Sequence, residues 1–167
     1  SYSNEIYQFN RGDGQDVIND ISGRDTIVFG QGITKSHIRI QHKDSKHIVI
    51  SLLNDAGELT GESITVESAW SPNGLSTNSV ESLQFADGSV MDSTEIFFAT
   101  LQFYGTEGAD TLTGTYARDL IYGYGGDDVI NTGSSGADIA YGGEGNDNIT
   151  SSGGGSKLYG DAGNDTL

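Results

Sequence analysis

Apolar and polar residues alternate in short runs over the first hundred positions, and the alternation then tightens to a fixed beat. Positions 6–9 alternate with the period of a strand. Positions 37–41 and 47–52 alternate on either side of a Lys43-Asp44-Ser45-Lys46 turn, which predicts a hairpin. Asn54-Asp55-Ala56-Gly57 reads as a second turn and positions 63–67 as a third strand. Ser71-Pro72-Asn73-Gly74 is a loop carrying the sole proline. Positions 80–85 and 89–91 flank the turn Ala86-Asp87-Gly88, a second hairpin. Asp92 or Ser93 caps a short helix through positions 96–98, with Glu95 in its first turn. Positions 101–104 return to extended structure.

From Gly105 onward an aspartate recurs at Asp110, Asp119, Asp128, Asp138, Asp147 and Asp165, in steps of nine or nine plus one, with Ser156 holding the phase at the skipped step. Glycines precede nearly every aspartate, and an aliphatic residue usually follows two places later: Leu112, Ile121, Ile130, Ile149, Leu158 and Leu167. The pattern G-G-x-G-x-D-x-U-x makes one turn and one short strand per repeat, so two repeats complete a coil with the aliphatics inside. A weaker form opens the chain, in Gly12-Asp13-Gly14-Gln15-Asp16-Val17-Ile18 and Gly23-Arg24-Asp25-Thr26-Ile27. The predicted fold is therefore all-β. Residues 1–30 read as terminal turns of an upstream roll, 31–104 as an antiparallel β flanking or capping module with a short helix, and 105–167 as a parallel β-roll.

Composition sharpens this picture. Hydrophobic residues make up 34% of the 167, against 25 glycines, which is thin for an ordinary core throughout. A net charge of −16 argues against nucleic acid as a partner. The absence of cysteine removes disulfides and thiolate metal sites. There is no signal peptide and no apolar run long enough to span a bilayer, so no direct membrane insertion is expected. The chain starts in the tail of one pattern and stops inside another, as a piece of something longer does.

Repeating aspartates among glycine turns suit calcium (Ca2+), which takes about six to eight oxygen ligands in irregular geometry. One turn offers half a shell, and the turn after next completes it. Stacking in twos sorts Asp110, Asp128, Asp147 and Asp165 into one column and Asp119, Asp138 and Ser156 into another. Complete sites are expected at 110/128, 128/147, 147/165 and 119/138, and a weak or empty one at 138/156. The residue inserted near Thr132 is expected to bulge outward before Gly133.

These repeats resemble the repeats-in-toxin (RTX) family. The resemblance implies a calcium-bound roll, secretion by a type I machinery, an extracellular or cell-surface location, and further RTX repeats of the same longer chain as neighbours. It implies that one turn gives the carbonyls of its second and fourth residues and its aspartate. The stacked turn then gives its first and third carbonyls and its own aspartate. Carried over, the first site takes Thr106, Gly108, Asp110, Gly123, Gly125 and Asp128. The opposite column takes Thr115, Ala117, Asp119, Gly133, Ser135 and Asp138. The next site in the first column takes Tyr124, Gly126, Asp128, Gly142, Glu144 and Asp147, and the last takes Gly143, Gly145, Asp147, Gly160, Ala162 and Asp165. Residues 1–98 resemble the module that follows such repeat blocks, through Tyr7-Gln8-Phe9, Gly12-Asp13-Gly14-Gln15-Asp16, Asp25-Thr26-Ile27, Phe29-Gly30-Gln31-Gly32-Ile33 and Phe85-Ala86-Asp87-Gly88. That likeness puts Asp16 and Asp25 in calcium turns; the bland reading of both is an ordinary turn aspartate.

His37, His42 and His47 read as hairpin surface, and Trp70 as core, more readily than as a zinc or sugar site. No G-x-S-x-G, H-E-x-x-H or phosphate-binding loop occurs. The leading reading is a calcium-binding structural module of a large secreted protein, without catalysis of its own. The alternatives are a glycan- or host-surface-binding module of an adhesin and an accessory domain of a secreted enzyme.

Overall fold

The computed structural model describes residues 3–19, 23–43, 46–71, 74–75, 79–134 and 136–167. The expected turn residues Asp44 and Ser45, the loop residues Pro72 and Asn73, the Trp70 side chain and the expected ligand Ser135 lie outside that description. The chain divides into two compact units, Ser1–Thr100 and Leu101–Leu167.

The first unit contains β1 (Ile6–Phe9), β2 (Gln15–Ile18), β3 (Thr26–Phe29), β4 (Ile38–His42), β5 (Ile48–Leu53), β6 (Leu59–Val66), β7 (Trp70–Ser71), β8 (Gly74–Leu75), β9 (Ser82–Gln84), β10 (Val90–Asp92) and helix α1 (Ser93–Thr100). The expected hairpins form: β4 pairs antiparallel with β5, placing Ile40 opposite Ile50, and β9 pairs antiparallel with β10. Asp92 is the helix cap. Its carboxylate accepts the N–H groups of Thr94 and Glu95 at 2.9 Å, while the Glu95 carboxylate accepts the Asp92 N–H at 3.1 Å.

Local alternation did not reveal how these hairpins join the opening turns. β6 pairs parallel with β2, and β9 pairs parallel with β3, which itself pairs parallel with β1. The hairpins thus extend the two walls begun by the first turns. Their inner faces make a conventional core, with Phe29 stacked on Phe85 at 5.2 Å and edge-on to Phe9 at 6.3 Å, among buried Ile27, Ile33, Ile50 and Leu83.

The second unit contains β11 (Gln102–Tyr104), β12 (Thr111–Thr113), β13 (Leu120–Gly125), β14 (Val129–Asn131), β15 (Ile139–Glu144), β16 (Asn148–Thr150) and β17 (Lys157–Ala162). They form two all-parallel sheets, β11-β13-β15-β17 and β12-β14-β16. Between them lie Ile121, Ile130, Ala140 and Ile149, all fully buried, with Phe103, Leu112 and Leu158 partly covered. Leu167, expected inside, is 64% exposed. On the outer face of the first sheet Tyr104, Tyr122, Tyr141 and Tyr159 share one register and stack at 5.8, 5.3 and 4.9 Å.

Candidate metal centres

Each repeat aspartate stands immediately before a strand, so strand pairing decides which aspartates meet. Thr111 pairs with Val129, Val129 with Asn148, and Asn148 with Thr166. That lines up Asp110, Asp128, Asp147 and Asp165. On the other wall Leu120 pairs with Ile139 and Ile139 with Lys157, which lines up Asp119, Asp138 and Ser156.

In both columns the carboxylate reaches back one coil. The Asp110 N–H donates to Asp128 Oδ1 at 2.8 Å, the Asp128 N–H to Asp147 Oδ1 at 2.9 Å, and the Asp147 N–H to Asp165 Oδ1 at 3.0 Å. The Asp119 N–H donates to Asp138 Oδ1 at 3.0 Å. This fixes one oxygen of each carboxylate and aims the other inward. Asp128 and Asp147 are 1% and 2% exposed, yet their Oδ2 atoms have no hydrogen-bond partner. Burying a carboxylate oxygen without a partner is expensive.

The glycines show what those oxygens face. A Cβ on Gly123 would collide with Asp128 Oδ2 and the Gly142 carbonyl oxygen. One on Gly142 would collide with Asp147 Oδ2 and come within 2.8 Å of the Gly160 carbonyl oxygen. One on Gly105 would collide with the Gly123 carbonyl oxygen and lie 2.9 Å from Asp110 Oδ2. One on Gly114 would lie 2.6 Å from both Asp119 Oδ2 and the Thr132 carbonyl oxygen. In four stacked pairs, therefore, a carboxylate oxygen and the next coil's carbonyl oxygen converge on space that only glycine leaves open. Among the described residues no cluster of three or more acidic, imidazole or thiol side chains is arranged to hold a metal, so backbone carbonyls must complete any shell. That donor set fits a hard cation such as calcium.

Burial also shapes the protonation of these carboxylates. Burial, with the Asp138 charge adding to it, raises Asp119 to about 6 against the opposing hydrogen bonds from Thr115. Burial likewise raises Asp128, helped by the charges of Asp147, Asp110 and Asp127.

The first coil differs from the later ones. The Thr106 N–H and O–H both donate to Asp110 Oδ2, and Thr115 supplies its N–H and O–H to Asp119. Later turns of the first column have positive φ at that position, +76° at Tyr124 and +112° at Gly143. The expected carbonyl donors lie in these turns: Tyr124 pairs with Gly143, and Gly125 with Glu144, which pairs with Ala162. The Thr106 and Ala162 carbonyls each already accept one amide, from Gly125 and Gly145. The Gly108 carbonyl accepts the Thr106 hydroxyl at 3.3 Å. A carbonyl has a second lone pair to offer. Gly126 packs on Gly108, Gly145 on the Gly126 carbonyl, and Gly136 under the Ala117 carbonyl.

The inserted residue does not bulge at Thr132. Thr132 is fully buried and donates its N–H to the Thr150 carbonyl, continuing the ladder in which Asn131 pairs with Thr150. Its carbonyl, one residue ahead of Gly133, faces Asp119, while the Gly133 carbonyl accepts the Ser152 N–H at 3.3 Å. At the skipped step Ser156 Oγ accepts the Asp138 N–H at 3.3 Å and donates to Asp138 Oδ2 at 3.2 Å. It closes the oxygen that stays open at Asp128 and Asp147.

Asp25 and Asp16 part company. Asp25 is buried, its Oδ1 accepts the Glu5 N–H at 2.7 Å, and its own N–H donates to Glu81 Oε2 at 2.7 Å. That is the backward-reaching carboxylate ladder again, spread over β1, β3 and β9. Asp16 is exposed within β2 opposite Ile64 and takes no part in it. Glu5 and Glu81 escaped the nonapeptide pattern, yet a shorter signal marks them: Glu5-Ile6-Tyr7-Gln8-Phe9, Asp25-Thr26-Ile27-Val28-Phe29 and Glu81-Ser82-Leu83-Gln84-Phe85 share one form.

Against known proteins, residues 104–135 and 132–167 match the family model of the RTX calcium-binding nonapeptide repeat. Residues 48–95 match that of the haemolysin-type calcium binding protein related domain. No curated protein matches the chain. Among solved structures, the extracellular lipase LipA from Serratia marcescens is 14% identical with a TM-score of 0.35, over 95% of this chain and 28% of the lipase.

Proposed function

We propose that this chain, whose residues 104–167 match the RTX calcium-binding nonapeptide repeat and whose residues 48–95 match the haemolysin-type calcium binding protein related domain, is a calcium-folded structural module of a large secreted protein. The observation that carries the proposal is the pair of buried, unpartnered oxygens, Asp128 Oδ2 and Asp147 Oδ2, each beside a carbonyl oxygen of the next coil. Calcium, when bound, supplies the positive charge that such oxygens lack.

The chain's own residues do the rest. Glycines at 105, 114, 123 and 142 keep the cradles open, and the amides of Asp110, Asp119, Asp128 and Asp147 hold the neighbouring carboxylates in place. Asp128 and Asp147 each serve two stacked pairs. Ser156 satisfies Asp138 with a hydroxyl, so that rung needs no cation. Without a cation the acidic columns repel, and the hydrated, unfolded chain is favoured. A cation held only by the folded coils shifts the balance toward the roll. This linkage supports passage through a type I exporter unfolded, folding outside the cell, and continuation of the roll by further repeats of the same longer chain. No helix among the described residues is long and apolar enough to cross a membrane.

Circular dichroism of the chain tests this. Added calcium should convert coil to β signal, chelator should reverse it, and calorimetry should count four ions in the roll. A spectrum indifferent to calcium defeats the proposal.

A further inference from the structure

One residue ahead of each ligand aspartate in the first column, a second chain of side-chain contacts runs the opposite way. Asp127 Oδ1 accepts the Asn146 N–H at 2.7 Å and its Nδ2–H at 3.2 Å. Asn146 Oδ1 accepts the Asn164 N–H at 3.0 Å. Here the side chain of the earlier coil reaches forward to the later backbone, whereas Asp128, Asp147 and Asp165 reach back. Asp127 and Asn146 are both exposed.

We propose that Asp127, Asn146 and Asn164 form a cation-independent positioning ladder that clamps the coils of the first column and sets the affinity of its 128/147 and 147/165 sites. The proposal rests on the calcium reading above and deepens it. The reciprocal bonds tie the two residues at 146–147 to both neighbouring coils. The backbone carrying Asp147 is therefore held at its stacking distance before any cation arrives, which lowers the ordering cost of assembling the shell.

Only part of the roll has this device. In the first column's opening turn the equivalent residue is Ala109, which offers no acceptor, so the 110/128 pair lacks the rung. In the second column the equivalents are Arg118, Ala137 and Gly155, and a Cβ on Gly155 would meet only the Ala137 Cβ, at 3.8 Å. The sites are thereby graded: two are clamped, and 110/128 and 119/138 are not. An Asn at position 146 also avoids the charge clash that a second carboxylate beside Asp127 would bring.

Calcium titrations followed by circular dichroism and calorimetry test the ladder in the whole chain. Asp127→Ala and Asn146→Ala each remove two of these hydrogen bonds and should each raise the calcium midpoint by at least about 2- to 10-fold, the worth of one net hydrogen bond, with the ion count unchanged. Asn146→Asp should raise it further, and Asp127→Asn combined with Asn146→Asp should restore it. Ala109→Asn, which adds a rung opposite the Asp127 N–H, should lower the midpoint. Wild-type titration by both alanine variants overturns the ladder, and a reduced ion count in either overturns positioning in favour of direct ligation. If the wild-type chain itself ignores calcium, the calcium reading fails. The thermal midpoint of Asn146→Ala against wild type then decides the clamp alone, and equal midpoints overturn it.

Discussion

The backbone N–H of Asp110 donates to Oδ1 of Asp128, 2.8 Å away and one full coil further along the chain. This contact converts a sequence period into a site. It orients the Asp128 carboxylate so that Oδ2 turns toward the Gly142 carbonyl oxygen. Because the same bond recurs at Asp128 and Asp147, one residue's backbone and side chain serve two neighbouring sites.

Asp128→Ala should therefore remove two ions, where Asp110→Ala removes one. Losing a charge-assisted hydrogen bond costs about 1.5–3 kcal/mol before any coordination is counted. The calcium midpoint should rise more than tenfold. Calorimetric ion counts on the two variants check the difference, and equal counts speak against shared ligation.

The skipped step can be filled. Ser156 Oγ already sits where a carboxylate oxygen would accept the Asp138 N–H. Ser156→Asp should add one ion to the second column and lower the calcium midpoint, as read by calorimetry. An unchanged ion count would mean that turn 151–156 cannot complete a shell.

Glycine identity should matter at some turns and not at others. Gly123→Ala places a methyl group against Asp128 Oδ2 and the Gly142 carbonyl, so the β signal at a given calcium level should fall sharply. Gly154→Ala meets nothing within 4 Å and should titrate as wild type. Similar losses in both variants would show that backbone entropy, not the cradle, makes the glycines necessary.

Acid should partly replace calcium. In the cation-free roll Asp119 is raised to about 6 by burial, above its ordinary 3.8. The folded state then holds the proton more tightly than the unfolded chain. This group's contribution to the cation-free fold is complete below about pH 4 and is lost as pH rises through about 6. In chelator, β signal should be greater at pH 5 than at pH 7.5, and the calcium midpoint should be higher at pH 5, where a proton must leave first. Asp119→Asn should flatten the pH dependence in chelator.

Much of the roll was legible in the chain. A nine-residue repeat that makes one turn and one strand leaves no choice but to stack alternate turns, so the two columns of aspartates follow from counting. The buried Ile121, Ile130 and Ile149 follow from the same phase, as does the odd place of Ser156. The hairpins around Gly88 and between β4 and β5 were equally local, because turn residues and alternation lie next to each other in sequence.

What the sequence left open was set by long-range pairing. Counting placed an extra residue at Thr132, but the Thr132 N–H bonds the Thr150 carbonyl, so long-range pairing keeps Thr132 in the ladder and out of a bulge. Glu5, Asp25 and Glu81 become one ladder only because β9 returns to lie beside β3. No local period encodes that return, since the hydrogen bonds that reward it join residues far apart in the chain. The period settled which oxygens face each other, and the tertiary pairing settled which backbone amides hold them there.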